Sequence, residues 1–190
     1  VPTAANPNLL EVDWSTLPRP IDDGAARHLE GLAVPDLALA ATDGTRVSLA
    51  RLPGRVVVFA YPRTGQPGEP ALADDWDQIP GARGCTPQSC AFRDLHAALL
   101  AAGAARVFGL STQDTDYQRE AVARLHLPFA ILSDVELRLA TALRLPTLTV
   151  AGHVLLARLA LIIDAGRIAK VFYPVFPPYR NARDVLAWLG

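Results

Sequence analysis

The sequence predicts an α/β sandwich around a central mixed β-sheet, and three patterns predict it. Short β-branched runs such as Arg55–Tyr61 (RVVVFAY) alternate with stretches of helical period such as Asp116–Leu125 (DYQREAVARL). Two Asp-led turns, Asp43-Gly44 and Asp164-Ala165-Gly166, each join a pair of strand-like runs. The second of these pairs comes just before a closing helix, so alternation through the middle of the chain ends in a hairpin.

In chain order, residues 1–30 are rich in Pro, Asp and Ala and keep no sustained period. They are expected to form an extension packed over the domain or partly mobile, with the folded domain spanning 31–190. Val34–Thr42 and Thr45–Leu49 flank the first turn, and Arg55–Tyr61 fits a central buried strand. A loop then runs from Pro62 to Gly84 through Pro67, Pro70 and Pro80. An irregular segment of that length inside a compact domain is usually functional or mobile. A helix is expected from Pro87 to about Ala102, with Thr86 as N-cap and Phe92, Leu95, Leu99 and Ala102 on one face. Arg106–Leu110 and Phe129–Leu132 read as strands, Asp116–Leu125 and Asp134–Leu143 as helices. Leu155–Ile163 and Arg167–Tyr173 read as the late hairpin, and Tyr179–Leu189 as the last helix.

At 190 residues the chain holds one domain with a full core and is too short for two ordinary ones. Its 51% hydrophobic and 19% charged content suit a soluble globular protein, and a net charge of −1 gives no reason to expect nucleic acid or an anionic membrane as partner. No apolar run approaches the roughly 18 residues of a membrane span: Val154–Ile163 is interrupted by Arg158 and followed by Asp164. The start of the sequence shows no basic region followed by an apolar one, so no export leader is expected. Two cysteines do not make a secreted disulfide framework, and a cytoplasmic location with catalytic thiols is expected.

Both cysteines fall in Gly84-Cys85-Thr86-Pro87-Gln88-Ser89-Cys90-Ala91-Phe92-Arg93-Asp94, where the loop turns into a helix. A cysteine at a helix N-terminus faces unpaired backbone N–H groups and the positive end of the dipole, which favour thiolate over thiol. Cys85 therefore reads as a nucleophile. Cys90 lies five residues on, which in an unbroken helix means a rise of about 7.5 Å and a rotation of about 140°. A disulfide needs Cα atoms within about 7 Å and converging Cβ atoms. The pair can cross-link only if the start of the helix unwinds, which favours a working pair over a static bridge.

These residues resemble the peroxiredoxins. Val34-Pro35-Asp36-Leu37, Val47-Ser48-Leu49, the strand ending Tyr61-Pro62 and GCTPQSCAFRD are most similar to the bacterioferritin-comigratory-protein, or PrxQ, type. Gly109-Leu110-Ser111, Leu127-Pro128-Phe129, Leu132-Ser133-Asp134 and Arg158–Asp164 extend the likeness over residues 31–189. The resemblance implies a thioredoxin-like α/β/α sandwich. It also implies thiol-dependent reduction of hydrogen peroxide and organic hydroperoxides, with no metal or organic cofactor and with electrons from thioredoxin or a similar dithiol. It gives Cys85 the role of peroxidatic cysteine, Cys90 that of resolving cysteine in the same chain, and Arg158 that of the arginine facing the peroxidatic sulfur. An intramolecular disulfide suits a monomer or weak homodimer. The chain departs from the pattern before Cys85. A Thr or Ser belongs three residues upstream and a Pro seven, but here Ala82 holds the first place and Pro62 lies 23 residues back. Thr64, the first hydroxyl after Pro62, is the candidate for the missing contact.

Other readings remain open on sequence alone. The cysteines can be core residues, or two thiolates of a thioredoxin-like copper carrier with His153 as a third ligand, although the Cys spacing is longer than in such carriers. A non-catalytic redox sensor would use the same disulfide, whereas a general disulfide oxidoreductase would be expected to show Cys-x-x-Cys, which is absent. Arg158, inside an apolar run, is expected to be buried and paired. His28, His96 and His126 read as surface or helix-end residues, Trp14, Trp76 and Trp188 as packing anchors, and Arg83 as a solvated loop charge. Phe172–Pro178 reads as a packed connection to the last helix.

Overall fold

The computed structural model describes residues 12–190, so the first eleven positions of the expected extension lie outside the described residues. The extension's remainder begins with a 3-10 turn, Trp14–Thr16, where the Asp13 carboxylate accepts from the Ser15 backbone N–H at 3.0 Å.

β1 (Ala38–Ala41) and β2 (Arg46–Ser48) form the first hairpin, and β3 (Arg55–Ala60) follows. After the long loop come α1 (Cys85–Asp94), α2 (His96–Ala101), β4 (Ala104–Ser111), α3 (Thr115–Leu125), β5 (Ile131–Ser133) and α4 (Arg138–Leu143). A separate small hairpin, β6 (Thr147–Val150) and β7 (His153–Leu156), precedes β8 (Leu159–Asp164), β9 (Arg167–Phe172) and α5 (Asn181–Leu189). Seven strands make one sheet in the order β2-β1-β5-β4-β3-β8-β9. β3, β4 and β5 are parallel neighbours and the outer pairings are antiparallel, so the sheet is mixed, as the alternation followed by a hairpin implied.

β3 shows why two layers cover this sheet. Side chains of a strand alternate between faces, and every residue from Val56 to Ala60 is fully buried. Val56, Val58 and Ala60 point to one face, where they pack with Leu161, Ile163, α4 and Leu29 from the N-terminal extension. Val57 and Phe59, with Tyr61 beyond them, point to the other, where they meet Cys85, Phe92 and Leu99 from α1 and α2, with Val185 from α5. Phe92 stacks on Phe59 with ring centroids 4.3 Å apart, which fastens the middle of α1 to the central strand. Among the described residues, no helix is long and apolar enough to cross a membrane.

Three local expectations need correction. The helix expected to begin at Pro87 and run to Ala102 starts earlier and bends at Leu95. Its backbone bonds continue from Leu95 N–H to Ala91 and from Leu99 N–H to Leu95, so the break is a kink and not a gap. Its N-cap is Gly84 and not Thr86. Gly84 has φ +109°, and a Cβ there would stand 2.3 Å from Pro178 and 2.8 Å from Trp14, so the turn into the helix admits only glycine. The run Leu155–Ile163 is two strands, because the chain changes partner from β6 to β3 around Ala157-Arg158.

Candidate active site

The loop that follows β3 leaves the carboxyl end of a parallel strand, the place where open α/β sheets present their crevices. β8 runs antiparallel to β3 with Leu159 opposite Ala60. Arg158, the residue before Leu159, is therefore carried alongside Tyr61 and the start of the loop. α1 returns to this point because Gly84 turns the chain there, which makes Cys85 the first residue of the helix.

Cys85 is 4% exposed. Its Sγ receives the backbone N–H of Arg63 at 3.4 Å and Nη2 of Arg158 at 3.3 Å, and as a thiol it donates to the Ala82 carbonyl at 3.6 Å. The Arg63 side chain turns the other way, over the ring of Tyr117 at 4.7 Å. Arg158 is 3% exposed. Its Nη2 also faces the carbonyls of Gly81, Ala82 and Arg83 at 3.1–3.2 Å, and its Nη1 donates to Oε1 of Gln88 at 2.5 Å. Among the described residues no carboxylate pairs with this buried guanidinium. A buried charge is costly unless paired. Of the atoms Arg158 contacts, Cys85 Sγ is the one that can carry an opposite charge.

Thr64 is brought to the site, since the residue before it donates to the sulfur. Its own hydroxyl is committed elsewhere: both Thr64 Oγ1 and Thr64 N–H donate to Oε1 of Gln113, at 3.2 and 3.0 Å, and Gln113 Nε2 donates back to the Thr64 carbonyl at 3.1 Å. Gln113 thus pins the first residues of the long loop beside the cysteine. Tyr61, wholly buried nearby, has its hydroxyl ionisation pushed far up by burial, so it remains a neutral phenol.

Cys90 belongs to the same helix but a different environment. It is half-buried and lies beside a groove of about 460 Å³ lined by Val12, Trp14, Pro87, Ala91, Asp94 and Tyr179. Burial pushes its thiol above the ordinary value, opposed by the nearby Arg93. Cys85 opens instead on a cavity of about 310 Å³ walled by Trp14, Trp76, Pro70, Leu72, Arg63 and Arg83. Val12, Trp14 and Pro87 line both spaces.

Several side-chain readings change accordingly. Trp14 is a packing anchor against Phe176 and Tyr179, and it is also a cavity wall. Trp76, expected as a packing anchor, walls the cavity, and Trp188, expected as another, is 40% exposed. Arg83 remains a partly exposed loop charge, and it pairs with Asp77 at 2.6 Å. His28 reaches from the extension to the Leu143 carbonyl at 2.9 Å, and His153 is exposed on β7. Among the described residues no three His, Cys, Asp or Glu side chains gather in a way that would hold a metal ion. Gln88, Gln113 and Asn181 were not singled out in the sequence. Each acts through a partner that is remote in the chain.

Comparison with known proteins adds to this geometry. The family described as Redoxin matches residues 29–186. The peroxiredoxin Q of Oryza sativa subsp. japonica, named as chloroplastic, is 39% identical over 106 residues, which cover 55% of this chain and 41% of the rice protein. That of Gentiana triflora is 34% identical over 126 residues, 63% of this chain and 50% of the gentian one. The chain thus spans half or less of the length of these curated relatives. Among solved structures, peroxidoxin BcpB of Mycobacterium tuberculosis superposes with a TM-score of 0.67 at 25% identity, covering 85% of this chain and 97% of that one. Peroxiredoxin Q of Xanthomonas campestris gives a TM-score of 0.64 at 23% identity over 85% and 95% of the two chains, a likeness of fold.

Proposed function

Since the chain belongs to the redoxin family, as a peroxiredoxin of the peroxiredoxin Q type, we propose that it is a thiol peroxidase in which Cys85 reduces hydroperoxides and Cys90 resolves the product. The observation that carries this is the pairing at the helix mouth: a buried guanidinium with no carboxylate partner, 3.3 Å from a cysteine sulfur that also accepts a backbone N–H. Preorganised donors of this kind act where charge develops in a reaction.

The chemistry has three steps. The Cys85 thiolate attacks the terminal oxygen of ROOH, an S–O bond forms, the O–O bond breaks, and RO⁻ leaves and takes a proton as ROH. The Cys90 sulfur then attacks the Cys85 sulfenic acid, and hydroxide is expelled as water with the thiol proton, leaving the Cys85–Cys90 disulfide. An external dithiol such as thioredoxin restores both thiols and is itself oxidised. No second subunit is needed for this cycle, and a reducing cytoplasm suits it. The largely apolar wall of Trp14, Trp76, Pro70 and Leu72 supports organic hydroperoxides as substrates beside hydrogen peroxide.

Stopped-flow mixing with hydrogen peroxide or cumene hydroperoxide, followed by mass spectrometry, tests the proposal. Wild-type protein should end as the Cys85–Cys90 disulfide and turn over with thioredoxin and its reductase. Cys85→Ser should lower turnover at least about 1,000-fold, as expected when a nucleophile is removed. Cys90→Ser should still consume one equivalent of peroxide but yield no disulfide and no thioredoxin-driven cycling. Turnover by the Cys85→Ser protein would overturn the assignment, and oxidation without turnover in the wild type would leave a redox sensor.

A further inference from the structure

Gln88 is fully buried on α1, three residues after Cys85 and two before Cys90. Its Oε1 accepts from Arg158 Nη1 at 2.5 Å, and its Nε2 donates to Oδ1 of Asn181 at 2.8 Å. The orientation of both amides follows from chemistry. A guanidinium only donates, so Gln88 must offer it the carbonyl oxygen, and the amide nitrogen then faces an acceptor on Asn181. Asn181 is 1% exposed and is the first residue of α5. A continuous polar line therefore runs from α5 through the middle of α1 to the guanidinium on the Cys85 sulfur. Gln88 also lies on the segment that must leave its helix before the two sulfurs can meet.

We propose that Asn181 is a positioning residue that tethers α1 to α5 through Gln88, holding the helix wound around Cys85 and thereby setting how fast it opens for Cys90. The tether rests on the peroxidase reading for its consequence but not for its existence. With the tether in place, Gln88 stays on Arg158 and the oxidised Cys85 waits longer for its partner, exposed to a second equivalent of peroxide that would take the sulfenic acid to sulfinic acid. Without it, α1 unwinds sooner. Oxidation of Cys85 is little changed by the loss, because Arg158 keeps its three carbonyl contacts and the sulfur.

Asn181→Leu removes the acceptor at similar size. Asn181→Asp keeps it, with the carboxylate at the N-terminus of α5, where an anion is favoured. In stopped-flow work Asn181→Leu should raise the first-order rate of disulfide formation at least about fivefold, with the second-order rate of Cys85 oxidation within about twofold of wild type. The peroxide concentration that gives half sulfinic acid should rise by a similar factor, and Asn181→Asp should return all three to near wild type. Hydrogen exchange of the reduced protein supplies a readout that needs no peroxide. The amides of Gln88–Phe92 should exchange at least about fivefold faster in Asn181→Leu, while those of β3 stay unchanged. Unchanged α1 exchange, or a resolution rate that is unchanged or slower, overturns the tether, as does equal acceleration of exchange in β3. Should Asn181→Leu fail to fold, Gln88→Met carries the same test: it should exchange faster over α1 and also oxidise more slowly, and unchanged values of both overturn the proposal. Faster α1 exchange in a protein that consumes no peroxide would keep the tether and remove the peroxidase.

Discussion

Cys85 and Cys90 share one helix, and the protein surrounds them with opposite chemistry. Cys85 sits at the first position, 4% exposed, yet a guanidinium and a backbone N–H both aim at its sulfur. Cys90 is more exposed, lies beside a groove lined by Trp14, Pro87, Ala91 and Tyr179, and has its thiol pushed up by the partial burial it does have. Burial therefore does not sort the two. What sorts them is the supply of donors, and the helix end, a loop start and a strand end converge to provide it at Cys85. A wound helix also keeps the roles apart in space, since five residues of helix turn the second sulfur about 140° from the first.

Removing the donor is the most direct way to erase that contrast. Arg158→Met should lower the second-order rate of Cys85 oxidation about 100-fold, the scale of losing one preorganised donor, while alkylation of Cys90 by iodoacetamide changes little. Arg158→Lys should recover only a small part. An ammonium is a point charge and cannot reach the sulfur, three carbonyls and Gln88 together. An unchanged oxidation rate in Arg158→Met would mean that the guanidinium builds the loop and does no more. A smaller effect sharpens the contrast from the side of the cavity, which belongs to Cys85. Trp76→Ala should cost about fivefold in rate toward cumene hydroperoxide relative to hydrogen peroxide, about what a modest apolar contact discriminates. Equal losses toward both peroxides would show that Trp76 only supports the loop.

The sequence carried the sheet, the helix with both cysteines and Arg158, because each leaves a local mark. β3 is a run of β-branched residues, and Arg158 is a charge inside VLLARLALII, which is costly to bury without a partner. The strand change at Ala157-Arg158 was hidden because the apolar run continues across it while the pairing partner switches. Thr86 looked like the cap since hydroxyl residues usually are, but Pro178 and Trp14, remote in the chain, leave room at the turn only for Gly84. The roles of Gln88, Gln113 and Asn181 could not be read for the same reason. Each depends on an amide meeting a partner 49 to 93 residues away.

The smallest expected effect concerns the thiol of Cys90, and its sign follows from linkage. Burial raises this thiol above its ordinary value of 9.0 while α1 is wound. The neutral thiol is thus favoured by the wound helix, and the stability it lends is fully present below the unwound value and lost as the pH rises through the wound one. Alkali should therefore loosen α1. Urea unfolding of reduced wild-type protein should show a midpoint that declines more steeply above about pH 9 than that of Cys90→Ser, with the two running parallel between pH 7 and 8. Hydrogen exchange over α1 should report the same divergence, since ionised Cys90 belongs to the open helix. Parallel midpoints up to pH 10.5 would mean that the Cys90 thiol ionises as easily in the wound helix as in the open one. The contrast between the two sulfurs would then rest on the donors around Cys85 alone.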